Sequence, residues 1–137
     1  MPRRRPILLV EDDRVDAMTV KRALSQIDSS SPVYIVSNGE EALEFLRSPR
    51  NERPGIILLD LNMPRMNGIE FLRIAKADDA LKRIPVVVLT TSKQESEKVE
   101  SFNLGAAGYV IKPLSYEQFL EMVKTIDRYW TVSELPE

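Results

Sequence analysis

Asp60 follows directly on the apolar run Ile56–Leu59, and the next residues, Leu61-Asn62-Met63-Pro64, bring that run to an end. A proline removes a backbone donor, so a strand does not comfortably continue through this segment. An unpaired carboxylate at the end of a buried strand is costly, and partners for it stand at the ends of other apolar runs. Glu11-Asp12-Asp13 follow Ile7–Val10, Thr90-Thr91-Ser92 follow the run at 86–89, and Lys112-Pro113 follow the run at 109–111. The remaining run, Val33–Val36, ends in the uncharged pair Ser37-Asn38. If Asp12 and Asp60 sit on neighbouring strands about 5 Å apart, their repulsion at an effective dielectric of about 20 would be about 3 kcal/mol. Glu11 adds to that repulsion and Lys112 offsets part of it. A divalent cation answers the remainder, because Mg²⁺ is usually held by one or two carboxylates and several waters. Such a site accepts a phosphoryl oxygen as a further ligand. Lys112 then serves as a point charge, and the Thr90 hydroxyl and loop N–H groups serve as donors.

The residue inventory narrows the chemistry. The chain has no cysteine and no histidine, which excludes disulfides, thiolate catalysis, Cys-based zinc sites, Ser-His-Asp triads and imidazole ligands. A bare-phosphate loop after the first strand conflicts with the acids at 11–13, and no glycine-rich run ends in Lys-Ser or Lys-Thr. A phosphatase using Asp60 as nucleophile would need a second acid two residues on. That position is Asn62, which cannot act as a general acid or base.

The elements that must hold these residues follow from periodicity. ILLV, VYIV, IILL, VVVL and YVI are continuous apolar runs, the pattern of strands buried on both faces. Between them Ala17, Val20, Leu24 and Ile27 fall at helical spacing, as do Ala42, Leu43 and Leu46, then Ile69, Leu72 and Ala75. Asn38-Gly39 and Asn67-Gly68 mark helix starts, and Asp13 is expected to cap the first helix rather than bind metal. The segment at 92–104 is the weakest helix, with Val99, Phe102 and Leu104 as its apolar residues. Five strands alternating with five helices imply an α/β fold, a parallel sheet covered on both sides. In such a sheet ligands bind at the carboxyl ends of the strands, where the chemistry-bearing residues fall. The last helix, 116–130, carries Tyr116, Phe119, Leu120, Met122, Val123, Ile126, Tyr129 and Trp130 over an arc of about 180°. One sheet face needs less: either the tail folds back over the surplus, or this helix and the neighbouring edge strand form a homodimer or partner surface, and the homodimer is the expectation favoured.

The 137 residues carry 19 Lys plus Arg against 21 Asp plus Glu, for a net charge of −2. That balance argues against nucleic acid as partner. No apolar run approaches the roughly 18 residues of a membrane span, so no membrane partner and a cytoplasmic location are expected. Arg3-Arg4-Arg5 read as a solvated arm. The expected organisation is a single domain over 1–137, with a core at about 6–130, a short N-terminal arm, a C-terminal tail and no effector domain.

VEDD at 10–13, LLDLNMP at 58–64, PVVVLTTS at 85–92 and GYVIKP at 108–113 resemble the four signature segments of response-regulator receiver domains. The resemblance implies a flavodoxin-like (βα)5 doubly wound sheet in strand order 2-1-3-4-5. It implies that Asp60 accepts a phosphoryl group from a sensor histidine kinase, and that the domain is not a multiple-turnover enzyme. Asp12 would bind Mg²⁺ (or Mn²⁺) directly, Glu11 through water, and Asn62 through its backbone carbonyl. Lys112 would pair with the phosphoryl group ahead of a cis bond to Pro113. Thr90 would swing toward the phosphate and Tyr109 inward with it. RIPVVVLTTS at 83–92, a last helix running into Tyr129-Trp130 and an ELP tail further resemble the stand-alone receivers that partner bacterial phytochromes. That likeness implies a phytochrome-type kinase upstream and a protein target downstream. Two rivals remain: an adaptor of the same fold that works without phosphate, and a phosphatase.

Overall fold

The computed structural model describes residues 5–27 and 32–112, and beyond them 115, 117, 118, 120–122 and 124. Its elements are β1 (Ile7–Val10), α1 (Arg14–Ile27), β2 (Val33–Val36), α2 (Gly39–Arg47), β3 (Ile56–Leu59), α3 (Gly68–Ala77), β4 (Val86–Thr90), α4 (Glu95–Asn103) and β5 (Gly108–Ile111). The described residues from 117 to 124 are also helical. All strand pairs are parallel, and the sheet order is β2-β1-β3-β4-β5. This is the doubly wound order expected from the sequence.

The pleat sends alternate residues to opposite faces. Leu8, Val10, Ile57, Leu59, Val86 and Val88 meet Ala42, Leu43, Phe71, Leu72 and Ala75 from α2 and α3. Ile7, Leu9, Ile56, Leu58 and Leu89 meet Ala17, Val20, Ala23 and Leu24 from α1, with Leu120 and Met122 packed against the same cluster. The sheet is therefore covered on both sides, and each fully buried Leu or Phe contributes about 1.5–3 kcal/mol of transfer free energy. No helix among the described residues is long and apolar enough to cross a membrane.

The structure corrects one expectation, that all five apolar runs are buried on both faces. VYIV is not buried on both faces: Tyr34 and Ile35 are exposed, and Val33 and Val36 only half-buried. β5 is likewise half-buried with Ile111 exposed. Both are edge strands, so one flank of each lacks a neighbouring strand. In α4 the apolar residues Val99 and Phe102 are 48% and 45% exposed, while the small polar Ser101 is the buried one. Its hydroxyl is satisfied by the Glu97 carbonyl at 2.7 Å, so the helix packs through a compact residue and leaves its large ones outside. Most of the apolar arc of the last helix, and with it the expected dimer surface, lies outside the described residues, as does Pro113.

Candidate functional site: an acidic rim at the strand ends

The ladder hydrogen bonds run one residue past the strands and fix the site's backbone. The N–H of Glu11 donates to the Val36 carbonyl at 2.9 Å, that of Asp60 to Val10 at 3.0 Å, and that of Lys112 to Thr90 at 2.7 Å. Three charged side chains thus stand on rigid strand ends. From below, α3 presses on the Asp60 segment: the Gly68 N–H donates to the Leu61 carbonyl at 3.1 Å. The Asn67–Glu70 capping box holds the start of that helix.

Glu11, Asp12 and Asp60 each offer a carboxylate oxygen within 4.8 Å of the others. Glu11 and Asp60 are buried, at 4% and 7% exposure, while Asp12 is open to solvent. Lys112, also buried, donates to Glu11 Oε1 at 2.6 Å and to Asp16 Oδ2 at 3.0 Å. Burial pushes the Glu11 carboxyl up to about 7; the Lys112 hydrogen bond opposes this and the Asp60 charge adds to it. For Lys112 burial works toward a lower value. The hydrogen bonds to Glu11 and Asp16 and the charges of Glu11 and Asp60 outweigh it, leaving the ammonium above its ordinary range. Three carboxylate oxygens gathered this closely could hold a hard cation, directly or through a bound water. Hard oxygen donors carrying more negative charge than Lys112 cancels fit a divalent cation of this kind.

Around the acids lies a ring of weaker polar contacts. The Asn62 N–H donates to Asp60 Oδ1 at 3.3 Å, and Asn62 Nδ2 donates to both Thr90 Oγ1 and Thr91 Oγ1 at 3.4 Å. Thr90 is fully buried, and its hydroxyl oxygen also accepts from the Ser92 N–H at 3.3 Å. Tyr109 donates its hydroxyl to the Ser92 carbonyl at 3.2 Å, and the Ser92 hydroxyl bonds the Glu97 carboxylate.

The response regulator receiver domain model matches residues 7–124 of the chain. The chain belongs to the response regulator receiver family. Response regulator Rcp1 of Synechocystis is 38% identical over 128 residues, which cover 90% of this chain and 87% of Rcp1. The crystal structure of the phosphorylated cyanobacterial phytochrome response regulator RcpA superposes with a TM-score of 0.89 at 37% identity, covering 98% of this chain and 99% of RcpA. The Mn²⁺-bound form of Rcp1 gives a TM-score of 0.87 at 36% identity, covering 97% and 99%. This protein is accordingly a receiver of two-component signalling, a regulator rather than an enzyme in the ordinary sense, and similar in form to phytochrome response regulators.

In this receiver the expected residues assemble in two groups. Glu11, Asp12, Asp60 and Lys112 come together around the acidic rim, whereas Thr90 and Tyr109 are tied to the loop that follows β4. Asp13 stays outside the acid cluster; its carboxylate accepts the Asp16 N–H at 3.0 Å, the capping role expected of it. Lys112 stands on Glu11 and Asp16 rather than on Asp60. Asp16 is absent from the sequence-based candidates. Its signal is position: it is the acid in the first turn of the helix that begins at the rim.

Proposed function

We propose that this receiver takes a phosphoryl group onto Asp60 from a phosphohistidine of a sensor kinase and passes the signal on by a change of conformation and a protein contact. The observation that carries this reading is the convergence of the Glu11, Asp12 and Asp60 carboxylates beside the Lys112 ammonium. Asp12, Asp60 and the Asn62 carbonyl would hold Mg²⁺ or Mn²⁺, with Glu11 supporting it through water. The bound cation supplies neutralisation of the acids and of the phosphoryl oxygens. An Asp60 carboxylate oxygen attacks phosphorus in line, the P–N bond breaks, and its electron pair leaves on the imidazole nitrogen, which takes up a proton. Lys112 offers an N–H to the phosphoryl oxygens, and Thr90 turns its hydroxyl toward them while Tyr109 follows inward. Asn62 supplies no acid or base for fast hydrolysis, so the group is released slowly. The likeness to the phytochrome response regulator RcpA supports a phytochrome-type kinase; the near-neutral charge balance of −2 supports a reading without a nucleic-acid partner, and we place the protein in the cytoplasm, away from the membrane. The exposed Ile111 on edge strand β5 supports a homodimer through that edge and the last helix.

Intact mass after incubation with acetyl phosphate tests the reading. Wild type gains one phosphoryl group only when Mg²⁺ is present, and Asp60→Asn gains none. A wild type that neither acetyl phosphate nor a phosphorylated kinase labels is an adaptor instead. Release of many equivalents of phosphate per minute marks a phosphatase.

A further inference from the structure

We infer that Asp16 is a positioning residue for phosphoryl transfer: together with Glu11 it fixes the Lys112 ammonium so that one of its N–H groups is left for the phosphoryl oxygens on Asp60. The inference deepens the Asp60 reading and rests on it. A lysine ammonium has three N–H donors at the end of a flexible four-carbon stem, and nothing in the lysine itself sets where they point. Here Glu11 Oε1 takes one donor at 2.6 Å and Asp16 Oδ2 a second at 3.0 Å. Among the described residues these are the ion pairs Lys112 makes. Both acids stand on rigid supports: the Glu11 N–H is bound to the Val36 carbonyl. Asp16 belongs to a helix anchored by Ala17, Val20, Ala23 and Leu24, with its own N–H on Asp13.

Asp16 has little to gain as a stabiliser. Its side chain is 44% exposed against 10% for Lys112, so solvent screens one end of the pair and weakens its contribution to folding. Its leverage lies in placement, because Lys112 is surrounded by competing acids. Without Asp16, the freed donor can turn onto Asp60 and form an ion pair that the attack on phosphorus must first break. The competing view is that Asp16 merely favours the N-terminal end of α1 as a first-turn acid. A structural role of that kind would not depend on Lys112.

The test is the rate of Asp60 labelling by acetyl phosphate at saturating Mg²⁺, in wild type, Asp16→Ala, Asp16→Asn, Lys112→Ala and the Asp16→Ala/Lys112→Ala double variant, with folding checked by thermal unfolding. Asp16→Ala is expected to lower the saturating rate about tenfold, with the half-saturating acetyl phosphate concentration changed less than about twofold. Asp16→Asn keeps an oxygen acceptor at the same reach and restores the rate to within about threefold of wild type, and it reports on the site should Asp16→Ala fail to fold. In the Lys112→Ala background, Asp16→Ala adds less than about twofold, the signature of one residue acting through the other. A labelled wild type with an unaffected Asp16→Ala rate overturns the inference alone. So does a tenfold loss that recurs unchanged without Lys112. An unlabelled wild type overturns the Asp60 reading and this inference with it.

Discussion

Glu11 is an acid placed where ionising it is costly. Burial, with the Asp60 charge added and the Lys112 hydrogen bond opposing, moves its carboxyl from 4.5 to about 7. Because the folded value lies above the unfolded one, the folded state holds this proton more tightly. The associated stability is complete below about pH 4.5 and is lost as pH rises through about 7. A cation at the rim requires the ionised form, so binding displaces the proton and affinity climbs with pH until about 7 is passed. Calorimetric titration with Mg²⁺ is expected to show Kd tightening about fivefold or more between pH 6 and 7.5, with proton release evident in different buffers. In Glu11→Gln the binding is weaker and its pH slope is gone. A wild-type Kd that stays flat across this range would remove Glu11 from the metal site. At this scale the sequence is legible where chemistry follows an apolar run directly, as with Glu11, Asp12, Asp60 and Lys112. Asp16 escapes because it sits within a helix, and its partner lies 96 residues away, a contact that exists only once α1 and the end of β5 are brought together.

Gly68 shows how an element is held to the site. A Cβ there would lie 2.5 Å from the Asp60 carbonyl oxygen and 2.6 Å from Leu61 Cα, both backbone atoms with no room to give. The close approach lets α3 start directly against the segment that carries Asp60, with Phe71 and Leu72 fully buried below it. Gly68→Ala must lift that helix, and overpacking of this kind costs about 3 kcal/mol, or a Tm about 10 °C lower for a chain of this size. Gly108→Ala is the control: its Cβ would meet Val87 at an ordinary 3.6 Å, and the loss should stay near 1 kcal/mol or below. Equal melting of the two variants would mean that the start of α3 is not tightly docked. Asn67-Gly68 is readable in the sequence as a helix start, but this second demand on the glycine is not, since it depends on which segment α3 meets. The same holds for the strands. VYIV and IILL have nearly the same apolar character, yet one is an edge and the other central, because exposure follows strand order rather than composition. Val99 and Phe102 show a related limit: with Ser101 turned inward, an apolar pair in a short helix carries no instruction about which side packs.

For the whole molecule the question is how a phosphoryl group on Asp60, which would replace one negative charge with about two, would be felt at a distance. The polar contacts run outward in one direction. Asn62 ties the Asp60 segment to Thr90 and Thr91, Thr90 holds the Ser92 N–H, and Ser92 in turn accepts from Tyr109 and bonds Glu97 at the start of α4. The central strands are buried on both faces, whereas α4 has no side-chain N-cap and only Ser101 buried. Such a segment belongs to the low-stability end of a fold. Moving a two-state segment from about 1:9 to about 9:1 takes about 2.6 kcal/mol, and one or two charge-assisted hydrogen bonds at about 1.5–3 kcal/mol each supply that. Drawing the Thr90 hydroxyl to a phosphoryl oxygen would break its contacts with Asn62 and Ser92, and the free energy then falls on the β4–α4 loop rather than on the sheet. Hydrogen exchange with Asp60 fully phosphorylated should therefore change protection across residues 91–111 while β1, β3 and α2 keep theirs. Val99 and Phe102 on α4 and Ile111 on β5, already exposed, lie within the affected segment, so a partner docking there would distinguish the two states. Exchange that is unaltered at 91–111, or altered equally throughout the chain, would show that the signal leaves by another route.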